Sequence, residues 1–290
     1  MKLFSLNTGN FKLDGGAMFG VVPKSIWQKT NPADENNMCH LVMRSLLIQD
    51  GDRLILVDTG MGNKQSDKFF SYYYLFGDDS LLGNLAKLGF TKEDITDVVF
   101  THLHFDHCGG AITKEGEQLI PTFPNATFWC NEQHWQWAVN QNAREKASFL
   151  PENILPIQAS GKLKMVEVGN LEIINNQLAA APSSISQHLS FRFSNCHTRA
   201  MMLPQLQYKG RTIVYMADLL ALAAHIPMPY VMSYDMFPLL TMEEKAVFFK
   251  EAIDNEYILM LEHDPVYECI TIHKTDKGIK VKELFTVTDI

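Results

Sequence analysis

Cysteine is scarce in this chain of 290 residues, which contains only five. An odd and scattered set does not suggest the disulfide framework of a small secreted domain. We therefore expect a reduced, cytoplasmic protein. Cys108 and Cys196 lie beside histidines, but a thiol in such a position is usually a small buried residue rather than a metal ligand.

The sequence also lacks a long hydrophobic segment. Its longest apolar stretch, residues 219–232, is interrupted by His225, Pro227 and Pro229, so it is not expected to span a bilayer. Residues 1–7 contain one lysine and too few apolar residues for the hydrophobic region of a signal peptide. We expect neither a membrane span nor a signal peptide.

Positive charge is in deficit, because 25 basic residues face 33 acidic ones and the net charge is −8. An acidic chain without basic runs is a poor candidate for binding nucleic acid or an anionic membrane. We expect neither as a partner, and solubility is the simplest explanation of the charge. Length and a hydrophobic fraction of 46% suit one large domain or two fused half-domains.

Short strands that alternate with helices recur along the chain. Asp50-Gly51 between two apolar runs predicts a hairpin turn. Leucines at helical spacing over 81–88 predict a helix that Gly89 ends, and Thr241 followed by Glu244 resembles a capping box that opens a helix. The remaining predicted segments are strands at 95–100, 126–130, 171–174, 189–193, 211–217 and 257–261, and a helix at 131–146. We expect an α/β (α+β) fold with two packed sheets and outer helices.

Residues 101–110 form the most informative segment and read Thr-His-Leu-His-Phe-Asp-His-Cys-Gly-Gly. Imidazole and carboxylate groups are zinc ligands. In an extended segment His102 and His104 point the same way, whereas Asp106 and His107 follow a turn and can face a second metal. A histidine-rich surface loop fits less well, because the segment follows an apolar strand and precedes two glycines that permit tight backbone geometry.

This segment resembles the His-x-His-x-Asp-His signature of the metallo-β-lactamase superfamily. The resemblance implies a four-layer αββα sandwich, formed as a single domain over residues 1–290 from two halves at about 1–160 and 161–290. The motif Asp58-Thr59-Gly60 also matches the family, in which this aspartate supports the ligand loop.

The resemblance further implies the ligands in the second half of the chain. His197 is the natural match to a third histidine, although Cys196 and Arg199 stand where the family often has glycines. Asp218 matches a metal-bridging aspartate at the end of a strand, and His263 matches a final histidine. The implied first metal is held by His102, His104 and His197, the second by Asp106, His107 and His263, with Asp218 shared.

The implied cofactors are two divalent metal ions. Ligation rich in imidazole and free of thiolate favours zinc, with iron, manganese and cobalt as alternatives. In the family chemistry, a metal-bridging hydroxide attacks a carbonyl or phosphoryl centre, and Asp106 and Asp218 could act as proton shuttles.

The residues of the signature most resemble those of the branch that contains N-acyl-homoserine lactone lactonases and methyl-parathion-hydrolase-like enzymes. We therefore expect a hydrolase of lactones or esters that acts on a small molecule, and homodimers are common in this branch. Aspartate rather than cysteine at 218 argues against β-lactamase activity. A glyoxalase II-like thioesterase or a phosphotriesterase remains an alternative. An iron redox or sulfur enzyme is less favoured, because the diiron branch has glutamate where this chain has His104, and a non-catalytic relative would be expected to have lost ligands.

Several residues outside the ligand set carry two interpretations each. The glycine-rich segment 14–20 is either a mobile segment over the site or an ordinary hairpin turn. In some lactonases a tyrosine lies three residues after the bridging aspartate, but here that residue is Ala221. Tyr230 and Tyr234 either replace that tyrosine as the donor to the substrate oxygen or pack in the core. His225 either borders the pocket or is structural. The residues that either line an apolar pocket or pack in the core are Trp135, Trp137, Phe69, Phe70, Tyr72, Tyr73 and Tyr74.

Overall fold

Strands and helices alternate along most of the chain, in a computed structural model that describes residues 1–166 and 180–290. The strands are β1 (Lys2–Asp14), β2 (Met38–Asp50), β3 (Arg53–Val57), β4 (Asp97–Val99), β5 (Ile112–Glu115), β6 (Gln118–Pro121), β7 (Thr127–Cys130), β8 (Leu163–Met165), β9 (Ala181–Pro182), β10 (Leu189–Ser194), β11 (Met201–Tyr208), β12 (Arg211–Tyr215), β13 (Ile258–Met260), β14 (Cys269–Thr275) and β15 (Gly278–Phe285). The helices are α1 (Gly15–Phe19), α2 (Lys24–Trp27), α3 (Asp67–Ser71), α4 (Leu81–Lys87), α5 (Phe105–Cys108), α6 (Glu132–Val139), α7 (Pro151–Ala159) and α8 (Pro238–Asp254). The predicted mixed α/β class is confirmed, and the predicted strand at 171–174 lies outside the described residues.

The chain divides into two units. The first consists of Met1–Asn10 and Met43–Val168, and the second of Phe11–Val42 and Gly169–Ile290. Residues 11–42 therefore belong to the second unit, although most of the first unit follows them in sequence. A single domain built from halves at about 1–160 and 161–290 stays a prediction. Among residues 1–166 and 180–290, no helix has the length and hydropathy that crossing a bilayer requires.

A six-stranded sheet has the order β1-β2-β3-β4-β7-β8. The predicted hairpin joins β2 to β3, and Gly51 at its turn has a φ of 59°. Strands β3, β4, β7 and β8 are parallel, so their carboxyl ends share one edge. Beneath them Phe100, Phe123 and Phe128 are fully buried in the main core of the first unit. The ligand segment 101–110 begins where β4 ends.

The second unit contains a seven-stranded sheet of order β15-β14-β13-β12-β11-β10-β9. Only β12 and β13 are parallel neighbours, with Tyr215 opposite Met260 at their carboxyl ends. Helix α8 packs against β14 and buries Phe248 and Phe249. Each such aromatic side chain contributes roughly 1.5–3 kcal/mol by leaving water. Asp218 and His263 follow the carboxyl ends of β12 and β13.

Two sequence-based predictions about local structure are wrong. Helix α8 begins at Pro238, three residues before Thr241, because proline suits the first turn of a helix. The Thr241 hydroxyl instead donates to Asp235 Oδ2 at 3.0 Å, and buried Glu244 accepts from Asn195 N. The predicted capping box is therefore a pair of tertiary contacts.

The glycine-rich segment 14–20 is also not a hairpin turn. It forms helix α1, whose first turn is capped by Asp14 Oδ1, which accepts from Ala17 N at 2.9 Å. Met18 and Phe19 are buried, and the Phe19 ring stacks on Trp27 with centroids 5.1 Å apart. The segment is an ordered part of the second unit.

Candidate metal centre

His102 and His104 lie in the segment that leaves β4, and both side chains are buried. His102 Nε2 and His104 Nδ1 are 3.1 Å apart, so the two rings face each other as the alternation of an extended segment predicts. Thr101 Oγ1 donates to Asp58 Oδ2, so its oxygen accepts from His102 Nδ1 at 3.0 Å.

The outer nitrogen of His104 contacts Glu145. His104 Nε2 donates to Glu145 Oε1 at 3.3 Å, and Glu145 Oε2 accepts from Trp137 Nε1 and Asn142 Nδ2, each at 2.6 Å. With their hydrogens on the outer nitrogens, His102 and His104 direct lone pairs at each other. A cation between the two nitrogens would stabilise this arrangement, which is what a metal site requires.

Asp106 and His107 lie on the single turn of α5, which confirms that the chain turns after His104. His107 Nε2 is 3.8 Å from Asp106 Oδ2, while its Nδ1 is 3.2 Å from Asp58 Oδ2. Asp58 Oδ1 also accepts from Thr101 N at 2.8 Å. Asp58 therefore anchors the ligand segment at Thr101 and at His107. This confirms the supporting role that the sequence predicts for Asp58.

The ligand segment is held close to the segment 59–61 by two glycines. A Cβ atom on Gly109 would lie 2.1 Å from Met61 O, and one on Gly110 would lie 2.2 Å from Thr59 O. No side chain fits at such distances from backbone. The glycines are thus needed for close approach of two backbones, since Gly109 itself has an ordinary φ of −59°.

In the second unit, Asp218 faces two histidines. Its Oδ2 is 3.0 Å from His197 Nε2, and its Oδ1 is 3.2 Å from His263 Nε2. Ala217, directly before it, has a φ of 42°, a left-handed conformation that costs about 1 kcal/mol or more for a residue with a Cβ. The strained backbone aims the carboxylate at both imidazoles.

The outer nitrogens of these histidines are also engaged. His197 Nδ1 is 2.8 Å from Asp235 Oδ1, and His263 Nδ1 is 2.8 Å from Val42 O. Each Nδ1 therefore carries a hydrogen, which leaves Nε2 as the ring atom that faces Asp218 and can take up a proton or a metal ion. Burial would lower the pKa of His197, but Asp218 and Asp235 outweigh burial and raise it to about 10. Each imidazole–carboxylate contact thus favours a cation, whether a proton or a metal ion.

Residues 44–148 match the sequence profile of the Metallo-beta-lactamase superfamily. This match covers less than half of the chain. A probable metal-dependent hydrolase from Staphylococcus aureus has a similar structure, with a TM-score of 0.85, 28% identity, and coverage of 98% of this chain and 96% of that one. AidC, a dizinc quorum-quenching lactonase, gives a TM-score of 0.77 at 22% identity, with 98% and 95% coverage.

Among curated proteins, an N-acyl homoserine lactonase from Bacillus cereus is 27% identical over 165 residues, which is 53% of this chain and 59% of the relative. The match thus spans little more than half the length of this curated relative. These similarities confirm the predicted metallo-beta-lactamase fold. Hydrolase activity, the substrate and the number of metals remain matters of proposal.

The structure decides between the two interpretations of several other residues. His225 is buried, its Nε2 donates to Met18 O at 2.9 Å, and burial together with Lys245 lowers its pKa to about 3. His225 is therefore a neutral structural residue. Tyr234 is 36% exposed and Tyr230 is half-buried. Neither residue belongs to the core, so the prediction that they pack there is wrong.

The aromatic residues of the first unit have separate roles. Trp135 belongs to the core, whereas Trp137 positions Glu145. Phe105 lies in sequence between the candidate ligands His104 and Asp106. The rings of Phe69 and Tyr73 pack on its ring, with centroid distances of 5.2 and 4.7 Å. Phe69 and Tyr73 are thus the part of the aromatic run 69–74 that lies next to the ligand segment.

Glu145 is the main residue that sequence reasoning missed in the first unit, and its role is testable. Substitution Glu145→Gln keeps the size of the side chain but removes the charge that orients His104. We expect metal affinity to fall by about 10-fold or more with little change in melting temperature. Metal titration against a competing chelator measures this, with exposed Glu132→Gln from the same region as the matched control. Equal affinity in all three proteins would contradict the role assigned to Glu145.

Proposed function

We propose that the chain is a dinuclear metal-dependent hydrolase of lactones or esters. The observation that carries this proposal is the Asp218 carboxylate, whose two oxygens face the ring nitrogens of two different histidines at 3.0 and 3.2 Å. A carboxylate in that position is suited to bridge two cations, one beside each imidazole. Two pairs of candidate ligands in the first unit support the same number of metal ions. One pair is His102 with His104, and the other is His107 with Asp106.

The proposed ligands are those expected from the sequence. They are His102, His104 and His197 for the first metal, Asp106, His107 and His263 for the second, and Asp218 for both. Imidazole and carboxylate donors with engaged outer nitrogens suit zinc. When bound, the metal ions would lower the pKa of water toward neutrality and polarise the oxygen of the bond to be cleaved.

The side chains of this chain would perform the remaining tasks. Asp106 is the least buried of the ligand candidates in the first unit, with 13% of its side chain exposed, and we assign it the transfer of a proton to the departing oxygen, with Asp218 as the second candidate. Phe69, Tyr73 and Phe105 provide an apolar surface for the acyl part of a substrate. The names of the relatives suggest N-acyl homoserine lactones as the substrate class.

The decisive experiment combines elemental analysis with a substrate panel. Protein purified without added metal is expected to contain about two zinc ions per chain and to cleave lactones or aryl esters. The His104→Ala variant should lose metal and turnover together, while the exposed Lys209→Ala variant should retain both. Iron alone, or metal without hydrolysis of any lactone, ester, thioester or phosphotriester, would refute the proposal.

The same panel separates the alternative activities. Preferred cleavage of a thioester would favour the glyoxalase II-like thioesterase. Preferred cleavage of a phosphotriester would favour the phosphotriesterase. A homodimer also stays a prediction, which sedimentation of the metal-loaded protein would check.

A further inference from the structure

A cavity lies within the first unit and has a volume of about 380 Å³. Its apolar lining includes Leu75, Phe76 and Leu81, and its polar lining includes Thr8 and Asp79. None of the four ligand candidates of this unit lines it. The volume falls in the lower part of the range for small-molecule sites. The cavity is therefore large enough for a ligand of its own.

The charge of the cavity comes from a single residue, Asp79. Its carboxylate accepts hydrogen bonds from the side-chain amides of Asn7, Asn10 and Asn84, at 2.9, 3.3 and 3.0 Å. These donors fix the carboxylate in place but carry no positive charge. Within residues 1–166 and 180–290, no basic side chain forms an ion pair with Asp79.

The hydroxyl groups of the lining present acceptors. Thr8 Oγ1 donates to Met43 O and Thr59 Oγ1 donates to His107 O, each at 3.0 Å, so both oxygens can only accept further hydrogen bonds. Thr122, 4% exposed, also lines the cavity, and its Oγ1 has no hydrogen-bond partner in the described part of the chain. An unsatisfied buried hydroxyl lowers stability, and a ligand that hydrogen-bonds to it removes that cost.

We propose that this cavity binds a small amphipathic cation, that is, an ammonium group on an apolar body. The ammonium group supplies three donors and a positive charge, and the lining supplies a carboxylate and acceptor hydroxyls. The apolar body packs against Leu75 and Leu81, and Phe76 offers a ring face to the cation. An anion finds no positive partner in the lining and is repelled by Asp79.

Three ligands of matched size test the proposal: 2-phenylethylammonium, neutral 2-phenylethanol and anionic phenylacetate. Calorimetric titration of the metal-loaded full chain should show saturable binding of the ammonium compound. We expect 2-phenylethanol to bind at least about tenfold more weakly and phenylacetate not to bind, because a charge-assisted contact with Asp79 is lost or reversed. No binding of the ammonium compound, or equal binding of the alcohol, would overturn the proposal.

Variants establish where the ammonium compound binds. Leu82, which lines the cavity and is 45% exposed, can become lysine without disturbing the core, and Leu82→Lys should abolish binding by repulsion. The same substitution at 75%-exposed Leu239, outside the cavity, should leave binding unchanged. If Leu82→Lys binds as the parent does, the compound occupies another site, such as the metal centre, and the proposal fails.

Thr122→Val gives an independent readout, because valine has the shape of threonine without the hydroxyl. Removal of an unsatisfied buried hydroxyl should leave the melting temperature unchanged or higher. The affinity for 2-phenylethylammonium should nevertheless fall. A lower melting temperature with unchanged affinity would mean that the hydroxyl serves the fold rather than a ligand.

Discussion

Asp218→Asn is expected to lower turnover at least about a hundredfold and to reduce the metal content from about two ions per chain to about one. Loss of a residue that merely supports a metal ligand costs 10- to 100-fold, so loss of a shared ligand should cost more. Asparagine keeps the shape but offers one neutral oxygen in place of two charged ones. Its amide group would face one of the two imidazoles with a donor rather than a negative charge.

Elemental analysis and turnover of the best substrate from the panel measure this effect. Asp276→Asn, at an exposed turn of the same unit, is the matched control and should match the parent in both respects. If Asp218→Asn retains both metal ions and normal turnover, Asp218 is not a shared ligand and the proposed dinuclear arrangement is wrong.

Lys245→Met should lower the free energy of unfolding by about 3 kcal/mol. Lys245 is fully buried on α8, and its ammonium group donates to the main-chain oxygens of His225, Pro227 and Tyr230. Methionine has similar length but no donor, so one buried and two partly buried carbonyl groups lose their partner at about 1 kcal/mol each.

Urea unfolding of the parent and the variant measures the difference. Lys250→Met is the matched control, because Lys250 lies on the same helix with 80% of its side chain exposed and pairs only with Asp254 among the described residues. An exposed pair of this kind contributes at most about 1 kcal/mol. Equal destabilisation by both substitutions would show that the buried contacts of Lys245 are not responsible.

Lys245 should also produce a measurable pH dependence. Burial lowers its pKa from 10.5 to about 8, against the opposing effects of Asp235 and Cys196. Below pH 8 the lysine is protonated in both states, and the folded state bears the whole cost of the buried charge. Between pH 8 and 10.5 the unfolded state binds more protons, so the stability of the parent should rise relative to Lys245→Met, by at most about 3 kcal/mol. A constant difference across this range would contradict the shifted pKa.

The candidate ligands were located by the resemblance of residues 101–110 to the metallo-β-lactamase signature, and that they bind metal stays a prediction. An apolar run ends just before His102, and similar runs end shortly before Asp218 and His263, so local pattern and position agree. Asp58 was predictable for the same reason. Within each unit the structure brings candidate ligands together, His102 with His104 and Asp106 with His107 in the first, and Asp218 with His197 and His263 in the second.

Residues that support the ligands could not be predicted, because their roles depend on contacts between distant segments. Glu145 reaches back over 41 positions to His104, and nothing in its neighbourhood distinguishes it from a surface residue. Thr241 and Glu244 have the spacing of a capping box, yet bonds to Asp235 and Asn195 decide their roles. Tertiary contacts of this kind outweigh local preference and leave no periodic signal.

The hydrogen bonds of the ligand histidines have a consequence for nitrogen NMR. With a metal ion in place of a proton on Nε2, the candidate ligands His107, His197 and His263 would direct Nδ1 at Asp58, Asp235 and Val42 O and carry hydrogen on Nδ1 alone. His102 does the same toward Thr101 Oγ1. His104 alone among these five directs Nε2 at a carboxylate and is the opposite tautomer. The Nδ1 and Nε2 signals of His104 should therefore be reversed relative to those of the other four histidines. This reversal identifies His104 in the spectrum without a mutant.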